Sequence, residues 1–248
     1  MKALVLEQIE NKTLAAVKET TLPALADGDV LVDIDWSSLN YKDALAITGK
    51  GKIIRQFPMV PGIDFSGIVS ESRDPRFVSG QAVILTGWGV GENHWGGLAA
   101  QACVKGDWLV SLPTALTARN AMIIGTAGFT AMLCVDALID EGVKPESGKV
   151  LAQTQYRGCV AACGLAGGFD LPTTVMPFIL RNVRLQGVDS VMVPTTERGA
   201  VWERLASILP ESYYQQASTE IGLEQAPAFA ADFLNNKIQG RTLVKIRG

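Results

Sequence analysis

From Met1 to about Leu112 the chain is written as a succession of short strand-like runs: Ala3 to Glu7, Val30 to Trp36, Asp64 to Ser70, Gln81 to Thr86 and Ala99 to Val104. Each is closed by Gly, Pro, Asp or Asn, and several carry the β-branched and aromatic residues that fit a pleated surface. A chain that begins this way builds its first hundred residues around a sheet. Helical character starts near Thr117, where Thr117-Ala118-Arg119-Asn120 can cap a run with Met122, Ile123, Phe129, Met132, Leu133 and Leu138 at roughly helical spacing; it ends near Gly142 and Pro145. A second strand signal, Gly158 to Gly164, has the apolar look of a buried strand and runs into the turn Gly164-Leu165-Ala166-Gly167-Gly168. After it the pattern predicts a short helix ending near Arg181 and a strand from Arg184 to Val191. Two helices over about Thr196 to Leu209 and Ala226 to Asn235 and a final strand from Thr242 to Ile246 follow.

The 248 residues, 48% hydrophobic and 19% charged, suffice for one large domain or two modest ones. The net charge of -3, from 22 basic and 25 acidic residues, argues against nucleic acid or an anionic membrane as partner and leaves small molecules. Cys103, Cys134, Cys159 and Cys163, with no secretory apolar segment at the start, read as buried thiols of a cytoplasmic protein. The longest apolar stretch, Ala127 to Leu138, is broken by Thr130 and Asp136 and is too short to span a bilayer.

Four segments carry a resemblance. Ser37-Ser38-Leu39-Asn40-Tyr41-Lys42-Asp43, Val60-Pro61-Gly62-Ile63-Asp64-Phe65-Ser66-Gly67, Gly125-Thr126-Ala127-Gly128-Phe129-Thr130-Ala131 and Gln239-Gly240-Arg241-Thr242-Leu243-Val244 resemble the zinc-free medium-chain dehydrogenase/reductases, in their acryloyl-CoA reductase and quinone-oxidoreductase-like branch. The resemblance implies an α/β fold. A GroES-like β-rich catalytic domain of residues 1–124 is completed by 194–248, with a truncated Rossmann-like α/β remnant over 125–193. It also implies NADPH as cofactor, a small acyl-CoA or enone substrate and a homodimer.

The match is collinear except at one point. Members of this family follow the helix ending here near Gly142 with a strand and a Gly-rich turn that cradles the NADPH pyrophosphate at a helix N-terminus. No such turn is present in this sequence. Gly87-Trp88-Gly89-Val90-Gly91 has the wrong spacing and leads into Glu92-Asn93-His94-Trp95, while Gly125 and Gly128 lie in a helical pattern. At Ser147-Gly148-Lys149-Val150 the text passes to Leu151-Ala152-Gln153, which resembles the helix before a late strand. At least two strand–helix passes of ~30 residues are missing.

No metal is expected. Asn40 stands where the zinc-binding branch has Cys, and Gly62-Ile63-Asp64 where it has Gly-His-Glu, so the soft thiolate and imidazole ligands are both absent. The cysteine spacing does not suit a structural zinc lobe. Cys159 and Cys163, four apart in a strand, lie about 13 Å apart and cannot bridge.

By resemblance, Asn40, Tyr41, Asp43 and Asp64 fall where the family places its substrate and nicotinamide contacts. Reducing an activated double bond needs a donor that polarises the carbonyl oxygen and a proton for the α-carbon; Tyr41 suits that task, with Asn40 as an orienting amide. Asp43 and Asp64 have a second reading, as caps of a turn or strand end. Tyr41, Thr126, Gly164, Leu165, Asp189, Ser190 and Asn236 match family positions that contact the cofactor. His94 has no Ser or Cys motif beside it and reads as a structural loop histidine. Lys50, Lys52 and Arg55 form a small basic cluster that reads either as a CoA-phosphate contact or as a solvated loop. Two functions stay open: a reductase of small enoyl-CoA, quinone or enone substrates with impaired or lost NADPH binding, and a catalytically silent or engineered deletion variant that binds a small molecule or self-associates.

Overall fold

Glu10 and Asn11, both left-handed (φ 49° and 63°), turn β1 (Lys2–Ile9) back on β2 (Lys12–Glu19) in a computed structural model. It describes residues 1–140, 151, 154–164, 168, 170–215, 218–235 and 237–247. The paired left-handed turn matches the twist of the two strands. Half-buried at alternate positions and charged at both ends, β2 lacks the apolar alternation that would have marked it in the sequence.

The chain divides into two compact units, Met1–Ala127 with Val191–Gly248, and Gly128–Ser190. The first is organised by β3 (Asp29–Leu39), an 11-residue strand that serves three neighbours. On one side it pairs antiparallel with β4 (Asp64–Ser72), with register shifts at Leu31/Val32 and Ile34/Trp36. On the other, its first half meets β6 (Gln101–Lys105) and its second half meets β11 (Arg241–Lys245). β5 (Ala82–Thr86) and β7 (Leu109–Ser111) extend the sheet beyond β4, and β10 (Ser218–Gly222) lies parallel to β11 at the far edge. Alternation places Val30, Val32 and Ile34 in one buried layer with Phe65, Val83 and Leu85. Each such side chain contributes roughly 1.5–3 kcal/mol by leaving water. A second layer joins Leu4, Leu39, Ala44 and Val244 to Ala226 and Ala230 of α6 (Ala226–Leu234).

α1 (Tyr41–Thr48) begins where β3 ends. Asn40 is its N-cap, the Asp43 carboxylate accepts the Asn40 backbone N–H at 2.9 Å, and Gly49, left-handed at φ 67°, closes it. α4 (Thr195–Ile208) is anchored by Arg198, which is almost wholly buried. The Arg198 guanidinium donates to the carbonyls of Val191, Val193 and Thr86 and to Thr86 Oγ1 at 2.7–2.9 Å, and lies 5.0 Å from the Trp88 ring. Those contacts tie the strand end of β5 to the segment that enters α4, with α5 (Glu211–Gln215) following.

α2 (Ala118–Asp140) is interrupted at Gly125, which has φ 52° and ψ −163°. By length and composition α2 meets the requirement for a bilayer span, which corrects the expectation from the shorter Ala127 to Leu138 stretch. Its Ala121 to Ile124 turn and Phe129 are nevertheless buried in the protein. In the second unit, β8 (Cys159–Ala162) and β9 (Arg184–Gly187) form a two-stranded parallel pair, with α3 (Met176–Arg181) between them in sequence. Both strands are shorter than expected: β8 stops before Cys163 and β9 stops at Gly187 instead of Val191, because neither has a further neighbour among the described residues to extend it. The thiols are also corrected. Cys103 and Cys159 are buried, but Cys134 is half-buried and Cys163 exposed, outside the strand that would have hidden it.

Candidate functional site

The end of β3, the start of α1 and the start of β4 converge on a buried polar cluster. Asp64, fully buried, is the first residue of β4. Its Oδ1 accepts Ser38 Oγ–H at 2.6 Å and Ser38 N–H at 3.2 Å. Its Oδ2 accepts Asn40 Nδ2–H and the Thr126 backbone N–H, both at 3.0 Å. Arg241, first in β11, supplies the counter-charge, with Nη2 3.8 Å from Asp64 Oδ2. A buried carboxylate needs such compensation, since an unpaired one costs several kcal/mol.

Asn40 is clamped from both ends. Arg241 Nη1 donates to its Oδ1 at 3.1 Å, while its Nδ2 reaches Asp64 Oδ2 and, at 3.2 Å, Asp43 Oδ2. These bonds fix the amide orientation: the oxygen faces a cation and the nitrogen faces two carboxylates. Asp43, 1% exposed, accepts the backbone N–H groups of Gly62 and Ile63 on Oδ1 at 3.1 and 3.0 Å. Burial, and then the nearby Asp64 charge, push its carboxyl up to about 7, against the opposing pull of the Asn40 and Ile63 donors. Gly62 presents its N–H at φ 107°, a conformation side chains rarely adopt, and a Cβ there would lie 2.6 Å from the Leu98 nitrogen and 2.8 Å from that of Gly97.

Gly125 completes the arrangement. After its break in α2 the Thr126 N–H points toward Asp64, so that this carboxylate accepts from the first residue of the helix segment beyond the break. A Cβ at Gly125 would lie 2.3 Å from Arg241 Nη2 and 3.0 Å from Asp64 Oδ2. A larger residue here would have to displace the Arg241 guanidinium and adopt a positive φ.

Among the residues expected at the site, the structure brings together Asn40, Asp43, Asp64 and the backbone of Thr126. Tyr41 follows Asn40 as the first residue of α1 and is 44% exposed. Gly164, Asp189 and Ser190 belong to the second unit, where Gly164 follows β8 and Ser190 Oγ accepts Thr130 Oγ1–H at 2.7 Å. Leu165 and Asn236 lie outside the described residues, as does the Lys149-Val150 junction. Lys50, Lys52 and Arg55 are exposed. His94 Nδ1 lies 3.1 Å from the Trp95 carbonyl, and its ring meets Trp108 edge-on. Among the described residues no three His, Cys, Asp or Glu side chains converge as metal ligands. Sequence reasoning missed Arg241, Ser38 and Gly125 as members of the cluster. Ser38 and Arg241 sit inside two of the segments that carry the resemblance, but a serine and a cation at strand ends ordinarily face solvent.

Residues 26–114 match the Alcohol dehydrogenase GroES-like domain family. The "Probable acrylyl-CoA reductase AcuI" of Escherichia coli (strain K12) is 54% identical over 323 residues, an alignment that takes in 99% of this chain and 100% of that protein. The chain belongs to the zinc-free medium-chain dehydrogenase/reductases. The acrylyl-CoA reductase AcuI of Ruegeria pomeroyi is 37% identical, over 98% of each chain. The crystal structure of the Salmonella enterica yhdH oxidoreductase in complex with NADP superposes with a TM-score of 0.96 at 54% identity, covering all of both chains. The Escherichia coli K-12 YhdH structure, with bound NADPH, gives 0.94 at 54% identity, over 99% of this chain and 100% of that one. Close members are thus crystallised with NADP or NADPH, the cofactor of the family. An alignment of 323 positions against a chain of 248 residues leaves this member shorter than its relatives, in line with the interruption seen in the sequence.

Proposed function

We propose that this chain is an oxidoreductase-family protein that keeps the site for a small enoyl-CoA, quinone or enone substrate and has impaired or lost NADPH binding. The observation that carries this reading is the missing phosphate-binding turn. In the second unit, the next element after β8 is α3, a helix of only six residues with a proline in its first turn. Among the described residues that unit has no strand, glycine turn and long helix in succession. Main-chain amides at such a turn are what grip a pyrophosphate, so the residues present do not fit the diphosphate half of the cofactor.

The substrate side is better furnished. Tyr41 offers a phenolic O–H to a carbonyl oxygen, Asn40 presents an amide already fixed by Arg241 and the two carboxylates, and Asp43 and Asp64 hold that amide and the start of α1 in place. Fixed dipoles of this kind stabilise developing charge without reorganising. Thr126, Gly164, Asp189 and Ser190 stay assigned to the nicotinamide side on resemblance. We place the protein in the cytoplasm, acting on a small molecule as a homodimer without nucleic acid or membrane.

Titration with NADPH, followed by nicotinamide fluorescence, is expected to show no saturation in the micromolar range; saturation there would reverse the reading. The clean junction at Lys149-Val150, flanked on both sides by good family sequence, favours one alternative, a catalytically silent binding module. Steady-state assays with NADPH and acryloyl-CoA or a small quinone separate the two, because turnover above solvent background eliminates the silent module.

A further inference from the structure

The second unit places two cysteines from distant parts of the chain side by side. Thr130 of α2 donates to Ser190 Oγ at 2.7 Å, and Ser190 follows β9, so this face of α2 lies against the carboxyl end of the β8–β9 pair. Cys134 is one helical turn beyond Thr130, on the same face. Cys163 directly follows β8 at that same carboxyl end, because β8 and β9 run parallel with Ala162 opposite Gly187. Cys163 is also the neighbour whose thiol acts on that of Cys134.

Their exposures differ in a useful way: Cys163 is exposed and Cys134 half-buried. Cys103 and Cys159 are both buried. We propose that Cys134 and Cys163 form a reversible dithiol–disulfide site, oxidised by small-molecule disulfides. Cys163, the exposed member of the pair, is the thiol that a reagent reaches first, while burial and the neighbouring Cys163 push the Cys134 thiol up to about 11. Its thiolate attacks one sulfur of the reagent disulfide, forming a mixed disulfide and releasing one reagent thiolate. Cys134 then loses its proton to solvent and attacks Cys163 Sγ, forming the Cys134–Cys163 bond and expelling the second reagent thiolate. Both protein thiols are oxidised, the reagent disulfide is reduced to two thiols, and the two protons end on those thiols. The bond would fix the carboxyl end of β8 to α2.

The test exposes the native full-length chain to oxidised glutathione, blocks remaining thiols with N-ethylmaleimide and maps non-reduced peptides by mass spectrometry. The expected product is a Cys134–Cys163 crosslink, reversed by dithiothreitol, with Cys103 and Cys159 unmodified until the protein is denatured. Cys163→Ser should abolish the crosslink and Cys159→Ser should leave it intact, each checked for native circular dichroism. Stable glutathionylation of Cys163 without a crosslink, or a crosslink from Cys134 to Cys159, would overturn the assignment.

Discussion

Asp43 shows how one side chain in this site does several structural tasks. It accepts four N–H groups, closes the first turn of α1 and holds the Gly62-Ile63 loop. Its carboxyl, raised from an ordinary value of 3.8 to about 7, binds a proton in the folded state at pH values where the unfolded chain has lost it. Stability contributed by that proton is complete below about pH 4 and is lost as pH rises through about 7. Urea denaturation across this window should show a decline that Asp43→Asn flattens; equal slopes in the two proteins would rule out Asp43 as its source. Arg241 answers for the other carboxylate. Replacing it by Met leaves Asp64 buried without its cation and should cost about 3 kcal/mol in the same measurement.

Much of this residue-scale picture was readable only as identity. Asn40, Asp43 and Asp64 stood out because their neighbours resembled a known pattern, yet nothing in the spacing of residues 40, 43 and 64 says that one amide bridges both carboxylates. Arg241 was less legible still, since it reaches Asn40 from the far end of the sequence through β11–β3 pairing.

At the scale of elements, strong apolar periodicity was legible and interruptions were not. The α2 helix appeared where its pattern predicted, but at its break the Gly125 backbone lies close to Arg241 and Asp64, which a local window does not contain. Gly125→Ala should cost about 1–3 kcal/mol, through a disfavoured positive φ and through displacement of Arg241, measured by thermal or urea unfolding. A neutral result would mean that the helix can straighten without penalty. The β2 strand and α1 went unassigned for a related reason: β2 is half exposed, and α1 is a short helix stabilised by its caps instead of by a long apolar face.

The two units differ sharply in how well they satisfy themselves. The first builds a seven-stranded sheet around β3, while β8 and β9 in the second pair only with each other among the described residues. Leu171, Val175, Met176, Ile179 and Leu180 of that unit are exposed. Open strand edges and apolar surface favour association between copies. Light scattering of the purified protein is therefore expected to give a mass above that of the monomer, and a monomer at micromolar concentration would contradict it.

Because β3 takes neighbours from residues near 65, near 103 and near 243, its last partner emerges from the ribosome only after the whole inserted stretch has been synthesised. Assembly of the host sheet must wait across that interval, and long-separation pairing of this kind is slow. The same layout explains how evolution or an experimenter could excise part of the insertion: both halves of the host meet on one strand whose register contains no information about what was removed.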